Sequence, residues 1–170
     1  MSRPLPTDCS HFYHHYIEFT EVEEATLLPA FYGSQIATFF SSLPIAKGTY
    51  AYAPEKWTLN QVLQHLLDVE RVFVFRLLWI VRADGQPLPG FDENRFAEMA
   101  PANNRTMTDL VQEWLLIRES TNRFVSSLRE EDLERKGIVD GSSITANALC
   151  YITYGHILHH MSVIRGRYLP

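Results

Sequence analysis

Cysteine is scarce in this chain. Only Cys9 and Cys150 occur among 170 residues, so at most one disulfide could form, and a small fold held by several disulfides is excluded. Free thiols are the usual state in a reducing compartment. We therefore expect a cytoplasmic protein in which both thiols are inert.

The sequence also lacks a long apolar run and an excess of positive charge. The longest apolar stretch, residues 72–81, is interrupted by Arg76 and is well short of the roughly 20 residues that span a bilayer. The first ten residues contain no apolar signal-peptide core. Lys and Arg number 15 against 20 Asp and Glu, a net charge of −5, which is the wrong sign for nucleic-acid binding. We expect neither a membrane nor a nucleic acid as partner.

The composition that remains is that of an ordinary globular protein. Hydrophobic residues make up 46% of the chain and charged residues 21%, both near the usual values. A chain of 170 residues can bury a substantial hydrophobic core. Because we see neither an internal repeat nor a linker-like stretch, we predict a single domain over residues 1–170.

Four stretches have apolar residues at the three- and four-residue steps of a helix. They cover about residues 21–42, 58–82, 106–128 and 145–165, and a further short helix is predicted near residues 11–16. Strand signals are few. The chain therefore predicts an all-α fold, a four-helix bundle.

Caps and prolines define the ends of these helices. Thr58 followed by Gln61 forms a capping-box pattern for the second helix, and Thr106 or Thr108 is the expected cap of the third. Pro29 indicates a helix start or a kink within the first stretch. Gly166 and Pro170 are expected to end the last helix.

Two connecting stretches complete the pattern. Residues 84–92 contain two prolines and two glycines and predict a long loop, which a polar stretch follows to about residue 104. Residues 130–137 predict a charged, solvated turn. Loops of this length leave room for crossover connections between the helices of the bundle.

Histidines are concentrated near the end of the chain, where His156, His159 and His160 fall within five positions. Histidines four apart lie about 40° apart on a helix and can converge on one divalent ion. A pair three apart is also close enough, so spacing alone leaves the pair open. His156 and His160 continue the apolar face of Ile152 and Val163, and we therefore favour them as the pair.

A third ligand would come from another helix. The candidates are His11, His14, His15 and His65. The first three lie in a stretch that looks exposed, whereas His65 is flanked by apolar residues and needs a polar partner there. Three neutral imidazoles leave one coordination position open, which is typical of catalytic metal sites. The alternative is that these histidines are hydrogen-bonded core residues in a helical interaction protein.

Three segments together carry a resemblance to a known family. Residues 52–71, with His65 after a Trp-Thr helix start, the loop at 87–94, and the closing Gly-His-Ile-Leu-His-His of 155–160 resemble the DinB-like superfamily. The resemblance covers nearly the whole chain. It implies an up-down-down-up four-helix bundle, often dimeric, and a metal triad that corresponds to His65, His156 and His160.

The resemblance also implies a class of function. The chain is similar to YfiT-type metal-dependent hydrolases and to transferases and isomerases that use bacillithiol or mycothiol. We expect a divalent metal, zinc or nickel, that activates water or a low-molecular-weight thiol against a small-molecule substrate in a cytoplasmic homodimer. The alternative is a non-catalytic, stress-related dimeric metal-binding module.

Several polar residues are candidates for supporting such a site, although the sequence assigns no catalytic residue. Asp68 and Glu70 follow His65 on the same predicted helix, and Asp92 and Glu93 lie at the end of the loop. These carboxylates are candidate acceptors for hydrogen bonds from the ligand imidazoles, and Asp68 could itself be a further ligand. We expect His159 at the boundary of the pocket and the loop at its mouth.

Overall fold

A computed structural model describes residues 2–82 and 85–169 of the chain. Its helices and strands, in chain order, are α1 His14–Ile17, α2 Leu28–Ser41, α3 Leu59–Arg82, α4 Glu93–Met99, α5 Met107–Ser126, α6 Glu130–Leu133, β1 Lys136–Val139, β2 Ser142–Thr145 and α7 Ala146–Val163. Short 3₁₀ turns precede α1 and α2, and a π-helical turn, Ile164–Tyr168, follows α7. The predicted bundle is confirmed, but with a small hairpin added.

The four long helices correspond to the four predicted stretches, and their caps explain where they begin. The Thr58 hydroxyl accepts from the Gln61 backbone N–H at 3.2 Å, and the Gln61 side chain accepts from the Thr58 N–H at 2.8 Å, which confirms the capping box. Thr106, and not Thr108, caps α5. The helix α2 begins later than predicted because Pro29 occupies its first turn, where the missing N–H costs nothing.

The helices follow an unusual order around the bundle. The helix α2 packs against α5 and α7, and α3 packs against the same two helices. Within the described residues, α2 with α3 and α5 with α7 are not among the closely packed pairs. The helices α2 and α3 therefore lie diagonally across the bundle from each other, and so do α5 and α7, whereas α3 and α5 are neighbours. The connections from α2 to α3 and from α5 to α7 must each cross an end of the bundle.

A β-hairpin and two short helices were absent from the sequence prediction. The strands β1 and β2 form an antiparallel hairpin in which Val139 pairs with Ser142. Its two turn residues, Asp140 and Gly141, have φ of 49° and 72°, as a two-residue hairpin turn requires. The helix α4 begins in the polar stretch that follows the loop, and α6 lies in the predicted charged turn.

Part of the predicted loop and part of the predicted end of the last helix lie outside the described residues. The loop prediction begins at Asp84 and the final stop at Pro170, both of which lie outside the described residues. In the described part of the loop, Leu88 forms a parallel bridge with Val139. The loop is thereby attached to the hairpin.

No helix within the described residues is long and apolar enough to cross a membrane.

The most deeply buried element is α7. All residues of 146–157 are buried, which is the pattern of a helix enclosed on every side. An N-terminal segment, residues 10–19, completes this enclosure by packing α1 along α7. A Cβ atom at Gly155 would lie 1.9 Å from the Tyr16 carbonyl oxygen. Only glycine permits so close an approach of two backbones.

Replacement of Gly155 by alanine should therefore destabilise the fold. The new Cβ must push the backbone at Tyr16 away from α7, and overpacking of this kind typically costs about 1–3 kcal/mol. Urea denaturation would measure the lower free energy of unfolding. Gly166→Ala is the matched control, because a Cβ there meets no atom within 4 Å. Equal stability of the two variants would contradict the proposed packing.

Candidate metal centre

Three of the seven histidines come together between α3 and α7. The Nε2 atoms of His65 and His156 are 3.2 Å apart, and the ring of His160 lies 4.9 Å from His65 and 4.6 Å from His156 between centroids. One ring nitrogen from each residue lies within 4.8 Å of the other two. The three side chains thus converge on one point from two helices.

Local packing fixes these rings. The spacing of four places His156 and His160 on the same side of α7, and the contact of α3 with α7 brings His65 to face them. The Trp57 ring lies 4.9 Å from the His65 ring. Tyr16 packs edge-on against His156 at 5.3 Å. Aromatic neighbours restrict the rotamers of both imidazoles.

Burial keeps the three imidazoles neutral. His65 is 8% exposed and His156 4%. Burial lowers the pKa of His65 to about 4, and the nearby His159 acts in the same direction. Burial, reinforced by the neighbouring histidines, holds the pKa of His156 and His160 well below the usual value. At pH 7 all three rings are therefore unprotonated at one nitrogen.

The arrangement fits a bound divalent ion. The Nδ1 atom of His160 is buried and has no hydrogen-bond partner in the described part of the chain, although buried polar atoms normally have one. The donor set is three neutral imidazole nitrogens, which suits zinc, nickel and similar ions better than magnesium or calcium. The residues present thus have both the convergence and the chemistry that such an ion needs.

A cavity of about 480 Å³ opens beside the three histidines, within the range of roughly 300–1,000 Å³ typical of small-molecule sites. Its walls come from four parts of the chain: the N-terminal segment, α3, the loop with the start of α4, and the hairpin with α7. Aromatic rings line much of it: Phe12, Tyr13, Tyr16, Trp57, Phe73 and Phe91. The histidines therefore face a partly open space that aromatic and polar side chains line together.

The N-terminal segment is nearer to the site than the sequence indicated. Tyr13 and Tyr16 line the cavity, and burial raises the pKa of both phenols. They remain protonated at neutral pH and can donate hydrogen bonds. The aromatic residues Phe12, Tyr13 and Tyr16 could have indicated that the segment packs against the protein, but nothing in the sequence indicated that it packs on α7.

The other candidate third ligands lie apart from the cluster. The His14 ring bonds the Pro6 carbonyl oxygen at 3.0 Å, and His11 stacks against His14. His15 lies beside His159, with 6.0 Å between ring centroids. Neither these three residues nor His159 belongs to the converging group.

The two carboxylates of α3 do not line the cavity. Asp68 accepts a hydrogen bond from the Gln64 side chain at 3.0 Å and lies near Arg71. Glu70 is buried in an ion pair with Arg118 at 2.6 Å. Both side chains are therefore engaged elsewhere, Asp68 near the surface and Glu70 in the interior of the bundle.

The remaining candidates are distributed around the cavity. The Asp92 side chain caps α4 by accepting from the N–H groups of Asn94 and Arg95. Glu93, next to it, lines the cavity, and so does His159. Burial, followed by the effect of His15, lowers the pKa of His159, so His159 is neutral at pH 7 and can accept a proton.

Arg76 is a cavity residue that the sequence analysis did not identify. In the sequence it only interrupts the longest apolar run, yet its side chain lines the cavity and is 3% exposed. The position of a charged residue within an apolar helix face could have indicated a functional role, because such a residue is normally buried only with a partner.

Comparison with known proteins identifies the family. The sequence pattern of the DinB superfamily matches residues 34–164. The chain belongs to the DinB superfamily. A similar solved structure is "YfiT from Bacillus subtilis", described as "a probable metal-dependent hydrolase with an unusual four-helix bundle topology"; it is 15% identical, with a TM-score of 0.69, over 96% of this chain and 90% of that one. No curated protein matches the chain.

This DinB-superfamily chain should lose stability in acid when no metal ion is bound. Unfolded histidine has a pKa near 6.5, whereas His65 titrates at about 4. Between these values the unfolded chain binds a proton that the native state does not, so the free energy of unfolding falls as pH falls. His65 alone predicts a loss of about 2 kcal/mol between pH 7.5 and pH 5.

Urea titrations in the presence of a chelator would measure this dependence. The variant His65→Gln should show a shallower fall, whereas His11→Gln, which changes an exposed histidine, should match the unmodified protein. A free energy of unfolding that stays constant from pH 7.5 to pH 5 would contradict the burial of neutral imidazoles.

Proposed function

We propose that the protein is a metal-dependent hydrolase of small molecules, in which His65, His156 and His160 hold one divalent ion, zinc or nickel. The convergence within 4.8 Å of one nitrogen from each of three neutral histidines, of which His65 and His156 are buried and His160 is half-buried, carries this proposal. The description of YfiT as a probable metal-dependent hydrolase supports the reaction type.

A divalent ion at this position would supply Lewis-acid chemistry, because it lowers the pKa of a water to about 7 and that of a thiol further. The three histidines contribute by remaining unprotonated, since burial lowers the pKa of each and no proton then competes for their nitrogens. The aromatic side chains of the walls reduce the contact of the cavity with bulk water, which strengthens electrostatic interactions there.

Three further side chains are placed to assist. Tyr13 and Tyr16 stay protonated and can donate hydrogen bonds to an oxygen that gains negative charge. His159 is neutral, lies 5.1 Å from His160 between ring centroids, and lines the same cavity. It is our choice for the group that takes up a proton during the reaction.

Other parts of the proposal rest on the resemblance to DinB-like proteins. They are the up-down-down-up helix directions, a homodimer and a cytoplasmic location. A low-molecular-weight thiol as co-substrate is the second candidate for the reaction, because a cavity of about 480 Å³ has room for more than a single water.

Metal binding tests the ligand assignment. We expect about one zinc or nickel ion per chain in untagged protein that is purified without a chelator and without a nickel resin. Loss of a residue that only hydrogen-bonds a metal ligand typically lowers metal affinity by roughly 10- to 100-fold. His160→Ala should lower the metal affinity by more than this, because it removes a ligand. His159→Ala is the matched control and should keep its affinity. Elemental analysis and competition titration would measure both.

Lower metal affinity in His159→Ala together with unchanged affinity in His160→Ala would show that His159, and not His160, is a ligand. Metal-free protein that gains no metal on titration would contradict the site altogether, and it would favour histidines that only satisfy a polar position in the core.

Turnover tests the reaction. Zinc- or nickel-loaded protein should hydrolyse members of a panel of carboxylic esters and amides, and His160→Ala should lower kcat/KM by about 1,000-fold, because the ion contributes several kcal/mol. A parallel assay would follow conjugation of thiols to an electrophilic bimane. Conjugation without hydrolysis would favour the thiol reaction, and absence of both would favour the non-catalytic module.

A further inference from the structure

Arg76 is a buried cation without a buried counterion. Its Nη2 donates to the Pro89 carbonyl oxygen at 2.9 Å, and its guanidinium lies 5.2 Å from the centre of the Phe91 ring. No carboxylate lies within ion-pair distance of it in residues 2–82 and 85–169. A guanidinium has five N–H donors, so Arg76 retains donors for a further partner.

The other fully buried arginine shows what such a group ordinarily needs in this fold. Arg118 is 2% exposed and pairs with Glu70 at 2.6 Å, and its Nε also donates to Asn122 at 3.2 Å. A buried charge is costly unless it is paired. Arg118 is satisfied by its own protein, whereas the Arg76 guanidinium has, among the described residues, only uncharged partners: the Pro89 carbonyl oxygen, the Tyr13 phenol and the Phe91 ring.

Arg76 shares one face of α3 with His65. The cavity is lined by His65, Val69, Phe73 and Arg76, which follow each other at steps of four, four and three residues and so lie on the same side of the helix. Eleven residues at about 1.5 Å each separate the Cα atoms of His65 and Arg76 by roughly 16 Å. The cavity is therefore polar at each end and apolar between them.

Two acidic residues also line the cavity and limit the charge of its ligand. Glu93 and Asp140 are both exposed, so water screens their charges more than that of the buried Arg76. They nevertheless disfavour a dianion such as a phosphate monoester. A single carboxylate matches the planar fork of one guanidinium.

We propose that Arg76 binds the carboxylate of an elongated substrate whose apolar middle lies along Val69 and Phe73 and whose far end reaches the histidines. The placement of the reacting bond at the histidines rests on the proposed function. The carboxylate site itself does not depend on it, because it is built from Arg76 and the apolar face of α3.

Calorimetric titration with 4-phenylbutyrate and with its neutral amide, 4-phenylbutanamide, tests the site in the full-length protein. We expect the carboxylate to bind about 10- to 100-fold more tightly than the amide, as a charge-assisted hydrogen bond implies. In Arg76→Gln, which keeps a donor for the Pro89 carbonyl, the two affinities should become equal within about threefold. Arg76→Lys should retain part of the preference.

Arg123→Gln is the matched control, because Arg123 is exposed and pairs with Glu119 on the surface. It should keep the full preference. Equal binding of the two ligands by the unmodified protein, or binding of neither, overturns the proposal even if Arg76→Gln does not fold. A preference that survives in Arg76→Gln also overturns it, since the carboxylate would then bind elsewhere, for example at the metal.

Metal content measured in the same samples separates this proposal from the function. Protein that prefers the carboxylate but holds and gains no metal would keep the Arg76 site and refute the metal-dependent reaction. Protein that binds metal at the histidines but does not distinguish acid from amide would refute the Arg76 site alone.

Discussion

The burial of residues 146–157 of α7 on every side is the constraint on which the rest of the structure depends. A helix enclosed on every side needs neighbours on all of its faces, and α2 and α3 supply only two of them. The N-terminal segment supplies a third, and it can do so because Gly155 has no side chain between α7 and the Tyr16 carbonyl. The same segment forms one wall of the cavity. The contact of the N-terminal segment with α7 thus completes both the core and the cavity.

Burial also determines the chemistry of the site. An exposed histidine cluster would be partly protonated near neutral pH, and protonation would prevent metal binding. Here His65 and His156 are buried and His160 is half-buried, so their pKa values fall and their nitrogens stay available. The same burial leaves the Nδ1 atom of His160 without a hydrogen-bond partner among the described residues.

Periodicity and capping predicted the four long helices, because both act within a few residues of one another. The spacing of four likewise predicted that His156 and His160 share a face, and the apolar flanks of His65 predicted its burial. The hairpin could have been recognised from its turn, since Asp140 and Gly141 form the Asp-Gly pair typical of two-residue hairpins. The ion pair of Glu70 with Arg118 and the contact of residue 16 with residue 155 join distant parts of the chain, and no local pattern carries them.

The cavity walls come from residues both inside and outside the region that the superfamily pattern matches. The superfamily pattern begins at residue 34, so it includes the three histidines and Arg76 but not Tyr13 or Tyr16. The end of the cavity near Arg76 is also bounded by the hairpin at Asp140. The histidine cluster therefore lies within the matched region, whereas the shape of the space beside it also depends on the N-terminal segment, which lies before that region. Substitutions in the N-terminal segment can thus change the walls of the cavity without removing a histidine of the cluster.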